Sequence, residues 1–320
     1  MHKTYQNTKN TRKKLSIFEL QMKKVLITGS NGLLGQKLID LYLKENNVEL
    51  IATARGANRY PIKKGYTYAS LDVTDVRNVN DVISLHAPDT IIHTAAMTNV
   101  DVCEEDKVGA ESLNVDAVLN LVEAANEIGA HFILLSTDFI FNGEAGPYTE
   151  DAEPDPLSYY GETKLAAENI VKHQSDKWSI ARTVLVYGIV HDMSRSNIVL
   201  WAKGALEKGQ PINVVTDQVR SPTLAEDLAI GCKLIEEKEA EGIFNISGKD
   251  QMSIVEIVER VADYFQLDKS IITQVSSKTL NQAAKRPPIT GFDLTKSREV
   301  LGYDPHSFEE GIALLMKQIG

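Results

Sequence analysis

The chain has 320 residues, of which 43% are hydrophobic and 24% charged, with a formal net charge of −10. That length holds a full core in one large or two modest domains, and the acidic balance argues against general nucleic-acid binding while leaving room for a phosphorylated small molecule in a local basic pocket. Two cysteines, Cys103 and Cys232, are too few for a metal cluster or a disulfide framework and point to a reducing compartment such as the cytoplasm, and no apolar run approaches the roughly 18 residues that span a bilayer.

Residues 1–21 differ from the rest. Lys3, Arg12, Lys13 and Lys14 are basic and no apolar signal core is present. We expect a disordered extension before Met22, the alternative being a basic tail with a partner. Val25–Thr28 then reads as a buried parallel strand. Gly29, Gly32 and Gly35 follow at three-residue spacing, and Gln36–Leu43 has helical periodicity. Strand, glycine turn and helix form the context of a dinucleotide site, where backbone approaches a pyrophosphate and the helix N-terminus faces it.

Further strands are expected at Val48–Ala54, Tyr66–Leu71, Thr90–Ala96, His131–Ser136 and within Trp178–Tyr187. Helices are expected at Ala117–Ile128 and Tyr160–Lys172, and Thr74 or Asp75 suits a helix cap. This alternation predicts an α/β doubly wound parallel sheet of the Rossmann type. Beyond Gly188 the rhythm loosens. Helices are expected at Arg195–Lys208, Leu224–Glu237, Ser253–Phe265 and Phe308–Gln318, and strands at Ile212–Val215 and Ile243–Ile246. The expected division is a dinucleotide-binding domain over 22–187, to which 224–246 returns, and a smaller interleaved substrate domain from 188–223 and 247–320.

The chemistry gathers around the fifth strand. Thr137 ends it, at the sheet edge where open α/β proteins bind ligands. Tyr160 and Lys164 lie at i and i+4, one turn apart on a helix face. Thr137 can bond a substrate carbonyl, Tyr160 can give a proton to the developing alkoxide, and Lys164 can lower the tyrosine pKa and hold a cofactor ribose. A hydride completes the reduction.

From Lys24 onward the chain resembles the extended short-chain dehydrogenase/reductase superfamily, and within it the dTDP-4-dehydrorhamnose reductase family. The resemblance is carried by Gly29-Ser-Asn-Gly-Leu-Leu-Gly35, His93-Thr-Ala-Ala-Met-Thr-Asn-Val-Asp101 and Asn114-Val-Asp-Ala117. It continues through Ser136-Thr-Asp-Phe-Ile-Phe-Asn-Gly143, Pro147-Tyr-Thr-Glu150, Pro156-Leu-Ser-Tyr-Tyr-Gly161, Asp217-Gln-Val-Arg-Ser-Pro-Thr223 and Asp227-Leu-Ala229. It implies catalysis by Thr137, Tyr160 and Lys164 and reduction of the 4-keto group of a nucleotide-activated 6-deoxysugar.

Carried over by motif, Gly29, Gly32 and Gly35 meet the cofactor pyrophosphate, and Asn31 and Leu33 are assigned to the cofactor. Asp72 and Val73 meet the adenine, and Ala95, Ala96 and Met97 line the cofactor cleft. Thr98 and Asp138 are assigned to the substrate, and Asn197 and Arg220 to its diphosphate, although Asn197 could instead cap local backbone. No metal is expected, and a homodimer follows only by analogy with the superfamily.

The second strand ends Ala52-Thr53-Ala54-Arg55, without the acid that NAD-preferring sites use for the ribose hydroxyl. Arg55, with Arg59 nearby, suits a 2′-phosphate, so NADPH is expected over NADH.

A dehydratase on this fold needs an acidic pair after the threonine, but Phe139 follows Asp138. A 4-epimerase usually keeps NAD, which the missing acid disfavours. The non-enzymatic alternative is a regulatory protein, the role of the similar beta subunit of methionine adenosyltransferase. His93, Trp178 and Trp201 read as packing residues, and Cys103 with Glu104 and Glu105 as a helix face near the cleft rim.

Overall fold

A computed structural model describes residues 22–193, 196–280 and 282–319. The expected extension over 1–21, and Arg195 at the expected start of a helix, lie outside the described residues.

Seven strands form one parallel sheet: β1 (Lys23–Thr28), β2 (Val48–Ala54), β3 (Thr67–Ser70), β4 (Thr90–His93), β5 (His131–Thr137), β6 (Trp178–Thr183) and β7 (Gly242–Asn245). Their order is β7-β6-β5-β4-β1-β2-β3. The chain works outward from β1 to β3, then crosses back to β4, so the order reverses between β1 and β4. The inner strands are buried on both faces, which explains their unbroken apolar runs: Val25–Ile27, Ile91–Ile92 and Phe132–Leu134 are fully buried.

Helices cover both faces of the sheet. Against one lie α1 (Leu33–Tyr42) and α8 (Ala225–Glu237), whose Leu38, Ile39, Leu228 and Ile235 pack with Val25, Ile27 and Phe244. Against the other lie α2 (Val76–His86), α5 (Ala117–Ile128) and α6 (Tyr159–Gln174), whose Val79, Leu121, Val122 and Val171 pack with Leu26, Ile91 and Phe132. A third apolar cluster is built by α7 (Ile198–Glu207), α9 (Ile254–Phe265) and α10 (Phe308–Ile319) with the parallel pair Ile212–Val215 and Ile272–Val275.

Helix starts follow local chemistry. The Asp75 carboxylate accepts from Arg77 N and Asn78 N at the head of α2, and Ser158 accepts from Gly161 N at the head of α6. Asn197 caps α7, which therefore begins at Ile198.

The fourth strand stops at His93, short of the expected Ala96, and the segment after it leaves the sheet, with Thr94, Ala95, Ala96 and Thr98 lining the cleft. The short helix α3 (Val100–Glu105) carries Cys103, Glu104 and Glu105, which were expected on a helix face, whereas α4 (Lys107–Glu111) and a π-helical turn over Ser112–Asp116 have no counterpart in the expected elements. Five residues each are too few to show a 3.6-residue period. No helix among the described residues is long and apolar enough to cross a membrane.

Candidate active site

A cleft of about 970 Å³ opens at the carboxyl ends of the strands, across the reversal point between β1 and β4. The turn from β1 to α1 forms one end. Gly29 has φ +68°, and a Cβ there would meet Ala95 N and Thr94 Oγ1 at 2.8 Å. Gly35 sits one helical turn on. Its Cβ would meet Gly29 O at 2.5 Å and Ser30 Cα at 2.6 Å, so this glycine lets α1 approach the turn rather than lining the cleft. The first turn of α1 has neither a side-chain cap nor an acid, which leaves its N–H groups and positive dipole end for an anion.

Asn31 fixes the neighbouring loop. Its Nδ2 donates to Ala57 O at 2.9 Å and its Oδ1 accepts from Arg59 N at 2.8 Å. Arg55 is 83% exposed, with Nη1 4.0 Å from Asp72 Oδ2. The Thr74 hydroxyl, then Arg55, hold the Asp72 carboxyl below its ordinary value against burial. Gly32, Leu33, Val73, Ala95, Ala96 and Thr98 also line this stretch.

Met97, expected on the cleft wall, is turned away from it. Its main chain is gripped by Asn114, whose Oδ1 accepts from Met97 N at 2.8 Å and whose Nδ2 donates to Met97 O at 3.1 Å. Its side chain packs with Cys103, Ala110 and Tyr160 instead.

At the other end, Thr137 closes β5 while Tyr160 and Lys164 enter from the first turns of α6, and all three face the cleft. The head of that helix is held from the side: Tyr159 N donates to Glu104 Oε1 at 2.7 Å and Tyr159 Oη to Glu111 Oε2 at 2.9 Å.

Burial, with Thr137 opposing it, pushes the Tyr160 phenol well above its ordinary pKa. Lys164 is not among the groups that shift this phenol; its Nζ donates to Leu135 O at 2.7 Å. Burial, opposed by Glu168, takes Lys164 down to about 8. At neutral pH the pair is thus a protonated phenol one turn from a buried, still largely protonated ammonium. Beneath it Glu168 accepts from Arg182 Nε at 2.9 Å and Nη2 at 2.8 Å. His93, expected as a packed residue, is buried with Nδ1 2.8 Å from Thr28 Oγ1, and burial lowers it to about 3.

The substrate-side residues divide. Thr98, Asp138 and Asn197 line the cleft. Asn197 also does structural work, accepting from Val199 N and Leu200 N and donating to Gly188 O at 2.6 Å. Arg220, expected at a diphosphate, lies behind the wall. It is 3% exposed, and its Nη1 and Nη2 donate to the carbonyls of Val219, Pro288 and Pro287. Its Nε lies 3.8 Å from Asp138 Oδ2. Buried carbonyls need donors, and this guanidinium supplies them.

Sequence reasoning assigned no role to Asn114 or Arg286. Asn114 joins the 94–98 wall to α6, through Nδ2 donating to Thr163 Oγ1 at 3.1 Å; its place in the Asn-Val-Asp-Ala motif was the available signal. Arg286 lines the cleft and donates to both Asp101 oxygens, at 3.2 and 2.7 Å.

A seven-stranded parallel sheet, a glycine turn at the strand-order reversal and a Thr, Tyr, Lys wall place the protein among the extended short-chain dehydrogenases/reductases. Residues 22–320 match the family model described as the RmlD substrate binding domain. The chain belongs to that family, the dTDP-4-dehydrorhamnose reductase family.

It is 31% identical over 283 residues to methionine adenosyltransferase 2 subunit beta of Xenopus tropicalis, covering 87% of this chain and 82% of the relative. It is 30% identical over 295 residues to the spore coat polysaccharide biosynthesis protein SpsK of Bacillus subtilis, covering 91% and 96%. Among solved structures it is similar to a dTDP-4-dehydrorhamnose reductase from Clostridium acetobutylicum, at 30% identity and TM-score 0.81 over 92% of this chain and 99% of that one. The Bacillus anthracis reductase, solved in complex with NADP, is 27% identical with TM-score 0.79 over the same shares.

Proposed function

We propose that this protein is an NADPH-dependent oxidoreductase that reduces the 4-keto group of a nucleotide-activated 6-deoxysugar, with dTDP-4-dehydrorhamnose, reduced to dTDP-L-rhamnose, as its substrate. The observation that carries this reading is the meeting of Thr137, Tyr160 and Lys164 on one cleft wall, with the phenol protonated at neutral pH.

The residues fit a dinucleotide. The cradle at Gly29 has no space for a Cβ, and the uncapped head of α1 presents N–H groups to a pyrophosphate. Arg55 is exposed enough to pair with a 2′-phosphate, and Asp72, Val73 and Lys164 line the cleft, where they would hold the adenine and the ribose. When bound, the nicotinamide supplies the hydride. Tyr160 gives its proton to the carbonyl oxygen as negative charge develops there, and Thr137 stands beside it. Thr98 and Asn197 line the substrate side.

A second reading has its own support. Relatives about 31% identical over most of the chain are beta subunits of methionine adenosyltransferase 2, so a nucleotide-binding regulatory role on this scaffold is the rival.

Loss of NADPH absorbance with enzymatically prepared dTDP-4-dehydrorhamnose separates the two. Wild type should oxidise NADPH, and Tyr160→Phe should lose about 10²–10⁴ in kcat with an unchanged melting temperature. NADPH binding without turnover of this or other 4-keto sugar nucleotides would move the assignment to the regulatory reading. Unchanged turnover in the variant would remove Tyr160 as proton donor.

A further inference from the structure

Tyr160 is the second residue of α6, and the first N–H groups of a helix have no partner inside it. Here the N–H groups on either side of Tyr160 are tied down. Ser158 Oγ accepts from Gly161 N at 3.3 Å, and Glu104 Oε1, reaching over from α3, accepts from Tyr159 N at 2.7 Å. The second bond goes to a carboxylate set at the positive end of the helix, where a negative charge is favoured and the hydrogen bond is charge-assisted.

Glu104 is itself held. Lys107 Nζ lies 4.0 Å from its Oε2 and 4.7 Å from the centroid of the Tyr159 ring, and the Tyr159 hydroxyl donates to Glu111 Oε2 at 2.9 Å. The neighbour of Glu104, Cys103, is fully buried and packs in one apolar cluster with Ala110 and Tyr160. So α3 and α4 grip both the main chain and the side chains of the first turn of α6. That turn also abuts the end of β5: a Cβ on Gly161 would run into Phe139 O, two residues beyond Thr137.

We propose that Glu104 is a positioning residue for the reduction: by holding Tyr159 N it fixes the backbone from which Tyr160 projects, and so the direction in which the phenol offers its proton. Glu104 is not part of the cleft wall, so it acts through Tyr160 and not on a reactant. This role rests on the reductase reading above. It makes α3 and α4 a brace that sets the catalytic helix from outside the sheet.

The test uses the full-length protein and reads the single-turnover rate of NADPH oxidation with dTDP-4-dehydrorhamnose. Glu104→Ala removes the acceptor and should slow this step about 10–100-fold, the scale of a hydrogen bond to a charged group, with NADPH and substrate affinity near wild type. Glu104→Gln keeps an oxygen for Tyr159 N and should come within about threefold of the wild-type rate. In a Tyr160→Phe background Glu104→Ala should have almost no further effect.

A structural role alone would lower affinity and melting temperature together while the bound complex reacted at the wild-type rate. That result, equal losses in the alanine and glutamine variants, or an undiminished loss in the Tyr160→Phe background overturns the positioning role and leaves the reductase reading intact. A wild type that turns over no keto-sugar nucleotide overturns both. If Glu104→Ala fails to fold, Glu104→Asp keeps the charge beside the helix end but draws the oxygen back from Tyr159 N. It should slow the same step about three- to tenfold, and a wild-type rate overturns the role.

Discussion

Around Gly29 and Gly35 the cleft wall is main chain, whereas around Thr137, Tyr160 and Lys164 it is side chains held in place by other side chains. At the glycine end, recognition depends on what is missing: a Cβ, a helix cap, an acid. At the catalytic end it depends on buried polar groups kept in register by Leu135 O, Asp138, Glu168 and Arg182. A backbone cradle can be spoiled by one carbon atom. A side-chain wall can be retuned by a proton.

Gly35→Ala is the sharpest way to break the glycine end. The added carbon meets backbone at 2.5 and 2.6 Å, so the head of α1 must move. Overpacking of this kind should cost about 3 kcal/mol in urea unfolding and weaken NADPH binding at least tenfold by titration. Full tolerance of alanine would mean that α1 is not held by this close approach.

The catalytic end is tested by pH. Burial holds Lys164 at about 8, below its ordinary 10.5. Between those values the unfolded chain binds more protons than the folded one, so the contribution of Lys164 to stability rises with pH across the window and is lost as pH falls through 8. From pH 8 to 10 the wild type should gain about 2 kcal/mol relative to Lys164→Met in urea unfolding. Parallel profiles for the two proteins would show that the lysine is solvated.

The smallest effect is expected at Arg55, an exposed side chain in a region otherwise read by backbone. Arg55→Ala should weaken NADPH roughly fivefold and leave NADH unchanged. Equal losses for both cofactors would remove the 2′-phosphate assignment.

The difference between the two ends also explains what was legible in the sequence. Buried parallel strands such as Val25–Ile27 and Phe132–Leu135 are contiguous apolar runs, and the glycine turn is local, so both could be read from a short window. The helix that carries the Tyr160–Lys164 pair was legible for the same reason. Partners distant along the chain leave no such trace: nothing near Arg220 shows that Pro287 and Pro288 will occupy its guanidinium, or that Thr290 will reach Asp138. Met97 was placed on the wall by its position in the motif, which does not show that Asn114 grips its main chain. Asn114 and the short α4 helix lie in a stretch without a readable period.

The edge strand β7 has a consequence for how the molecule comes into being. It pairs with β6 in parallel, Ile243 beside Ile180 and Phe244 beside Ala181, but is reached only after the chain has passed through α7 and α8. During synthesis β6 therefore waits with an open hydrogen-bonding edge until Gly242–Asn245 has emerged. A chain interrupted before that point carries an unpaired apolar strand, the kind of surface on which nascent proteins aggregate and chaperones act.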